Sequence, residues 1–222
     1  MRPSRQLFGP GADAYLRLAL LCGAGGLLLL LVTIGAVSRS AWFYGVGVAP
    51  EQPVPFSHKH HAGELGIDCR YCHISVEHAA SPGLPPTWTC MTCHSQIWTT
   101  APMLAPVRDS LANDEPLRWK RVNRLPDYVY FNHGIHIAKG VGCSSCHGEV
   151  DRMQLTFRAK AFTMSFCITC HRAPERFVRP ASEVFDMRWQ PGVEQLKQGA
   201  ALVRANHIRS AAELTDCSIC HR

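Results

Sequence analysis

The sequence predicts a mostly irregular fold built from short α-helices, preceded by one transmembrane helix near the N-terminus. Three observations support this prediction. The 222 residues include 17 Gly and 15 Pro, and this density of turn-forming residues interrupts long regular elements. Residues 18–37 form one uncharged apolar stretch, and ten of the eleven cysteines fall into five pairs with the same spacing. With 46% hydrophobic residues and a formal charge of +6, the chain resembles neither a disordered tail nor an enzyme with an ordinary hydrophobic core.

The apolar stretch is long enough to cross a membrane. At 1.5 Å per residue it spans about 30 Å, the thickness of the hydrocarbon core. Arg2, Arg5 and Arg17 precede it, whereas only Arg39 follows closely. Because positive charge stays on the cytoplasmic side, we expect a single-pass protein of the inner (cytoplasmic) membrane. Its N-terminus then lies in the cytoplasm, and the rest of the chain lies on the periplasmic, or extracytoplasmic, side.

A cleaved signal peptide is the alternative interpretation of this stretch. Ala36-Val-Ser38 resembles a cleavage site, but the apolar core of a signal peptide is shorter. The residues Trp42, Phe43 and Tyr44 that follow fit an aromatic belt at the membrane surface. The sequence therefore favours a retained anchor.

The five cysteine pairs are each followed at once by histidine. They are Cys69-Arg-Tyr-Cys72-His73, Cys90-Met-Thr-Cys93-His94, Cys143-Ser-Ser-Cys146-His147, Cys167-Ile-Thr-Cys170-His171 and Cys217-Ser-Ile-Cys220-His221. C-x-x-C-H is the attachment motif of c-type haem, in which the two thiols add to the vinyl groups of the porphyrin. The next side chain then lies under the ring, where an imidazole nitrogen can bind the iron.

Zinc sites and disulfides also use closely spaced cysteines. A zinc site of this kind combines two C-x-x-C pairs, which five pairs do not satisfy, and neither zinc nor a disulfide framework explains the histidines. The sequence therefore predicts five covalently bound c-type haems. The predicted fold class is a multihaem cytochrome c (class III-like), mostly irregular, with short α-helices wrapped round stacked haems.

A second set of histidines is available as the sixth, or distal, iron ligands. Three of them lie at a similar distance before an attachment motif. The offsets are 11 residues from His58 to Cys69, and 10 residues both from His133 to Cys143 and from His207 to Cys217. The first two histidines begin the repeat F-x-H-x-x-H, whose second histidines are His61 and His136. Histidines three apart on one helical turn can reach different haems, so we expect His61 and His136 to serve the second and fourth haems, in either order.

Other side chains compete for these positions. His60 aligns with Ile135 in the repeat and is interpreted as a surface residue, whereas His78 is a rival to His61 for the second haem. Met153 and Met164 lie near the fourth motif, and a Met ligand would raise the potential of one haem.

Proline positions and motif spacing divide the chain. The predicted parts are a cytoplasmic tail (1–17), a transmembrane anchor (18–38), a linker (39–57), a dihaem part (58–100), a Pro-rich strap (101–130) and a trihaem part (131–222). About 33 residues per haem are too few for a separate core around each one, so we expect the haems themselves to fill the interior. The strap, with prolines at 102, 106, 116 and 126, is expected to be extended.

A basic cluster in the strap comprises Arg118, Lys120, Arg121 and Arg124. An exported domain meets no genome, so nucleic-acid binding is not expected of this cluster. We expect it to pair with haem propionates or with an acidic partner.

Several motifs together resemble one known family. PFSHKHH, LPPTWTCMTCH, LPDYVYFNHGIHIAKGVGCSSCHG and SFCITCHR, with the N-terminal anchor, are similar to the pentahaem membrane-anchored cytochrome c subunit of alternative complex III, a quinol:electron-acceptor oxidoreductase of respiratory and photosynthetic chains. The resemblance covers nearly the whole chain. It implies as partners an iron–sulfur subunit resembling molybdopterin enzymes, polytopic quinol-binding membrane subunits and a monohaem cytochrome c subunit. It also implies electron relay from the quinol-oxidising complex to a periplasmic acceptor.

Two alternative functions make different demands on the sequence. A self-contained membrane-anchored quinol dehydrogenase needs a quinone pocket, and the single apolar helix offers no polar one. A haem enzyme that reduces a small oxide needs a five-coordinate iron, yet all five motifs keep histidine and enough further histidines exist to fill every sixth position. We therefore expect a non-catalytic electron-transfer subunit.

Overall fold

The computed structural model describes residues 8–9 and 11–221. The chain divides after Gly45 into two compact units. The expected membrane orientation rests partly on Arg2 and Arg5. Both lie outside the described residues, as do the other residues of 1–7 in the predicted cytoplasmic tail.

The first unit is dominated by helix α1, Ala12–Ser38. Its 27 residues have a mean hydropathy of 2.4 in their most apolar window, and none of them is buried within the chain. The helix begins earlier than the predicted anchor, and Asp13 and Arg17 form an exposed i,i+4 ion pair of 2.9 Å on its first turns. Length and composition make α1 a candidate membrane span and fit a single-pass anchor.

The second unit is made of short helices. They are α2 Cys69–Cys72, α3 Thr87–His94, α4 Ala105–Ala112, α5 His133–Ala138, α6 Cys143–His147, α7 Met164–Arg172, α8 Gln195–Ala205, α9 Ala211–Leu214 and α10 Cys217–Cys220. A π-helical turn covers Lys59–Glu64, and 3₁₀ turns cover Pro102–Leu104, Val150–Arg152, Pro174–Arg176 and Ala181–Glu183. Over residues 8–9 and 11–221 the structure has isolated β-bridges but no strand. The predicted fold class, mostly irregular with short helices, is confirmed.

The expectation that the Pro-rich strap is extended is wrong for its first half. Pro102 opens a 3₁₀ turn and Pro106 lies in the first turn of α4. Proline is favoured at such positions because the first amides of a helix have no partner within the helix. Prolines in this segment start helices rather than prevent them.

The buried apolar core of the second unit is small. Val54, Leu104 and Val107 form one cluster, which packs against the side chains of Cys90 and Met91 in α3. The strap helix α4 thus supports the second attachment motif.

Close backbone contacts hold helix α5 in place. In α5, a Cβ atom at Gly134 would lie 2.8 Å from the carbonyl oxygen of Glu77, so only glycine permits this approach. The amides of His133 and Gly134 donate to the carbonyl oxygens of Ala80 and Ala79, at 3.3 and 3.1 Å. These contacts attach α5 to the loop that follows the first attachment motif.

Candidate haem-binding sites

All five attachment motifs fold into short helices, so that the two cysteines three apart lie on one face. Side chains just before several of these helices cap them. Asp68 accepts the amide of Arg70 at 2.8 Å, and Asp216 accepts the amide of Ser218 at 2.9 Å. None of the ten motif cysteines is in a disulfide, so the residues fit the formation of thioether bonds.

Eight of the ten predicted ligand histidines form four pairs. The ring-centre distances and interplanar angles are 6.5 Å and 7° for His58 and His73, 6.2 Å and 66° for His61 and His94, 6.3 Å and 9° for His133 and His147, and 6.3 Å and 22° for His136 and His171. Each pair joins the histidine of one attachment motif to one histidine of an F-x-H-x-x-H repeat.

These distances match two imidazoles on opposite sides of one metal ion. A histidine nitrogen lies about 2.0 Å from its metal, and the ring centre lies about 1.15 Å beyond the nitrogen, which places two such ring centres about 6.3 Å apart. Among residues 8–9 and 11–221, no three His, Cys, Asp or Glu side chains converge on one point. Each pair therefore offers two axial ligands, which is what iron already held by a porphyrin requires, and not the four ligands of a zinc site.

Hydrogen bonds at the other ring nitrogen orient all eight histidines. The Nδ1 partners are Thr156 Oγ1 for His58 (2.8 Å), Ser57 O for His61 (2.9 Å), Gly83 O for His73 (2.9 Å), Ile97 O for His94 (3.3 Å), Ala80 O for His133 (2.7 Å), Asn132 O for His136 (2.7 Å), Asn123 Nδ2 for His147 (3.1 Å) and Leu214 O for His171 (2.9 Å). With Nδ1 engaged, Nε2 is left to bind a metal, which is how proteins fix the tautomer and orientation of ligand histidines.

The contact between Asn123 and His147 identifies a further positioning residue. Asn123 Oδ1 is buried and has no hydrogen-bond partner. A half-turn of the amide exchanges its nitrogen for its oxygen, and Oδ1 then accepts the Nδ1–H of His147. One rotation satisfies both groups.

The two F-x-H-x-x-H repeats have the same internal geometry. The ring of Phe56 lies 4.9 Å from that of His58, at 87°, and 4.4 Å from that of His61, at 25°. The ring of Phe131 lies 4.7 Å from that of His133, at 90°, and 4.4 Å from that of His136, at 28°. In each repeat the phenylalanine fixes both histidines, which explains why it accompanies them in the sequence.

Burial keeps five of the eight paired histidines neutral. Desolvation lowers the pKa of His58 and that of His147 to about 4, and it is also the first cause of the lowered pKa of His61, His133 and His136. At neutral pH these imidazoles carry a free lone pair, the form that binds metals.

The structure does not bring His207 to His221. In the described part of the chain the ring against His221 is that of Tyr128, with centres 5.9 Å apart, and His207 is exposed with a φ of 49°. His207 follows Asn206, whose backbone oxygen accepts the Lys139 ammonium at 2.6 Å. The fifth motif is therefore the one site whose predicted histidine pair is not assembled.

The residues considered as rivals lie elsewhere. His60 binds Glu64 at 2.9 Å, and His78 is exposed. Met153 is buried, 5% exposed, and its Cε lies 3.6 Å from the Cβ position of Gly148, while Met164 is 65% exposed. The histidine of the fourth motif faces His136, which leaves neither methionine in the paired position.

Neighbouring thiols give the spatial order of the motifs. Burial is the first cause of the raised pKa of four thiols, and a thiol of another motif is the second. These second causes are Cys90 for Cys72, Cys69 for Cys143, Cys170 for Cys146 and Cys220 for Cys167. The motifs are thus neighbours in the order second, first, third, fourth, fifth.

Comparison with known proteins finds similarity to multihaem cytochromes c. Residues 129–222 match a family model described as cytochrome c7 and related cytochrome c. The chain is also 36% identical over 103 residues to the multihaem cytochrome c subunit of menaquinone reductase from Nitratidesulfovibrio vulgaris, covering 46% of this chain and 48% of that protein. The chain thus spans about half the length of this curated relative. The part of the chain that holds the third, fourth and fifth attachment motifs is therefore similar to cytochrome c7 and related cytochromes c.

Proposed function

We propose that the chain is an electron-relay subunit of a quinone-linked membrane oxidoreductase, with five c-type haems attached in one row. The observation that carries the proposal is the set of four histidine pairs at the separation that two axial ligands require. Haem iron, when bound, supplies one-electron oxidation and reduction. The residues of this chain hold, orient and enclose it.

Thioether bonds form at the ten motif cysteines, Cys69, Cys72, Cys90, Cys93, Cys143, Cys146, Cys167, Cys170, Cys217 and Cys220. The proximal ligands are His73, His94, His147, His171 and His221, and their distal partners are His58, His61, His133, His136 and His207 in that order. For the fifth site, the support is the ten-residue offset of His207 from Cys217, which repeats the offset of His133 from Cys143.

The histidine pairs favour a carrier over an enzyme. Two histidines on one iron leave no position open to a substrate, so the residues prepare each site to exchange electrons and not to transform molecules. The influence of the thiols of successive motifs on one another's pKa supports a continuous row of sites, from the second motif to the fifth.

The partners follow from similarity. The relative from Nitratidesulfovibrio vulgaris is named as a subunit of menaquinone reductase. The resemblance to the pentahaem subunit of alternative complex III adds an iron–sulfur molybdopterin-enzyme-like subunit, polytopic quinol-binding subunits and a monohaem cytochrome c. We infer that the chain works within such a complex and delivers electrons to a periplasmic acceptor. Helix α1 anchors it in the cytoplasmic membrane, with the haem sites on the periplasmic side.

Purification of the full chain from membranes tests this proposal. Intact mass should correspond to five covalent haems, and electron paramagnetic resonance of the oxidised protein should give low-spin signals. The purified chain should not oxidise a quinol analogue unless companion subunits are present. Quinol oxidation by the chain alone would favour a self-contained dehydrogenase, and a high-spin haem that reduces a small oxide would favour an enzyme.

A further inference from the structure

A buried arginine lies against the third attachment motif. Arg179 is 3% exposed, and its Nη2 donates to Ser144 Oγ and Ser145 Oγ, both at 3.1 Å. These serines are the two residues inside the C-x-x-C pair. Its Nη1 donates to the carbonyl oxygens of Asp186 and Glu183, at 3.0 and 3.4 Å. The guanidinium is thus fixed against helix α6, whose two cysteines would carry the thioether bonds of one haem.

No carboxylate neutralises this charge at contact distance. In the part of the chain that the structure describes, Arg179 forms no ion pair, and its hydrogen-bond partners are hydroxyls and backbone carbonyls. The carboxylate of Asp186 accepts the amide of Arg188 at 2.8 Å, and that of Glu183 accepts the hydroxyl of Ser182 at 3.0 Å. Arginine does not lose its proton in proteins, so the charge is permanent.

The surroundings of Arg179 are built to hold the guanidinium. Its charged carbon lies 4.3 Å from the ring centre of Trp189, over the negative face of the indole. A side chain at Gly142, the residue before the motif, would occupy the space of the guanidinium itself. The amide of Arg179 donates to Gly140 O at 2.9 Å, which fixes the backbone as well.

We propose that Arg179 raises the reduction potential of the haem attached at Cys143 and Cys146. Ferric haem carries one more positive charge than ferrous haem, and a fixed cation nearby therefore disfavours the oxidised state. The inference rests on the proposed function in one respect, namely that a haem is attached at this motif. Because this motif is the middle one of the row, Arg179 adjusts the site that electrons cross in either direction.

The size of the effect follows from Coulomb's law. With an effective dielectric constant of about 20 and a separation on the order of 10 Å, one unit charge changes the one-electron equilibrium about tenfold. A tenfold change corresponds to about 59 mV for one electron. If Arg179 only held the attachment motif in place by hydrogen bonds, the reduction potential of the haem would not depend on the charge of the side chain at this position.

The test is a redox titration of the full-length protein in detergent, with two matched pairs of variants. Arg179→Met removes the charge and Arg179→Lys keeps it. In Arg179→Met, we expect the equilibrium constant for the one-electron reduction of one of the five haems to fall about tenfold. In Arg179→Lys, we expect that constant to stay near its original value.

The second pair leaves the buried arginine in place, in case its replacement prevents folding. Ser144→Asp adds a negative charge where Oγ contacts Arg179, and Ser144→Asn has the same size without charge. Because electrostatic potentials add, the difference between the two variants measures the effect of one charge at this place on the reduction potential of the haem. We expect one of the five reduction potentials to be lower in Ser144→Asp than in Ser144→Asn.

The outcomes distinguish this inference from the proposed function. Equal titrations of Ser144→Asp and Ser144→Asn, with five haems present by mass, would overturn the role of Arg179 and leave the relay intact. Equal titrations of Arg179→Met and Arg179→Lys, both fully loaded, would do the same. Fewer than five haems in the unmodified protein would instead overturn the proposed function.

Discussion

Replacing His61 by alanine is expected to change the spin state of one haem in five. The His61 ring centre lies 6.2 Å from that of His94, close to the distance of about 6.3 Å required of two axial imidazoles. Alanine cannot span this gap, so iron at the second motif loses its sixth ligand and becomes high-spin. The other three histidine pairs do not use His61, and they should stay low-spin.

The assay is electron paramagnetic resonance of the oxidised protein, with carbon monoxide binding to the reduced protein as a second readout. About one fifth of the iron should become high-spin and bind carbon monoxide, because the chain has five attachment motifs. His78→Ala is the matched control, since His78 precedes the same motif but is exposed. Our assignment is refuted if His61→Ala stays fully low-spin, or if His78→Ala gives the same high-spin fraction.

Three further predictions concern other parts of the chain. Gly134→Ala should lower the melting temperature by several degrees, because its Cβ would lie 2.8 Å from a carbonyl oxygen, whereas Gly192→Ala, with no atom within 4 Å, should melt like the parent in calorimetry. The pair His61 and His94, with ring planes at 66°, should give a low-spin resonance of larger g anisotropy than the near-parallel pairs, since crossed imidazoles split the iron d orbitals less; a single type of signal would contradict this. Residues 46–222, exported behind a cleavable signal peptide, should appear in the soluble periplasmic fraction with their haems, and retention in the membrane would show that α1 is not the sole anchor.

Motif spacing predicts the attachment sites and the identity of most histidines in the pairs. C-x-x-C-H and F-x-H-x-x-H carry their chemistry within a few residues, so the sequence displays it directly. Which histidine of a repeat faces which motif depends on contacts between distant segments. The structure pairs His61 with His94 and His136 with His171, a choice that the sequence leaves open.

No sequence pattern predicts the residues that orient the ligand histidines or contact the third motif. Most Nδ1 partners are backbone carbonyls, such as Gly83 O and Leu214 O, and any residue type provides one. Asn123 and Arg179 reach the third motif from far along the chain, and the motif itself contains nothing that requires them. The first half of the Pro-rich strap differs from the prediction because proline, which interrupts helices, also begins them.

At the fifth site, local spacing and the structure give different neighbours for His221. The ten-residue offset predicts His207 as the partner of His221, yet Tyr128 lies against that ring. The residues around Asn206 are held by Lys139 at the end of α5. Offset alone does not decide whether a side chain reaches across such a contact.

Anomalous scattering from crystals of the haem-loaded protein would locate the five irons. The expected result is an iron midway between the rings of each histidine pair, and a row that runs from the second motif through the first, third and fourth to the fifth. An iron with its sixth position open to solvent, or a row in which the third motif is terminal, would contradict it.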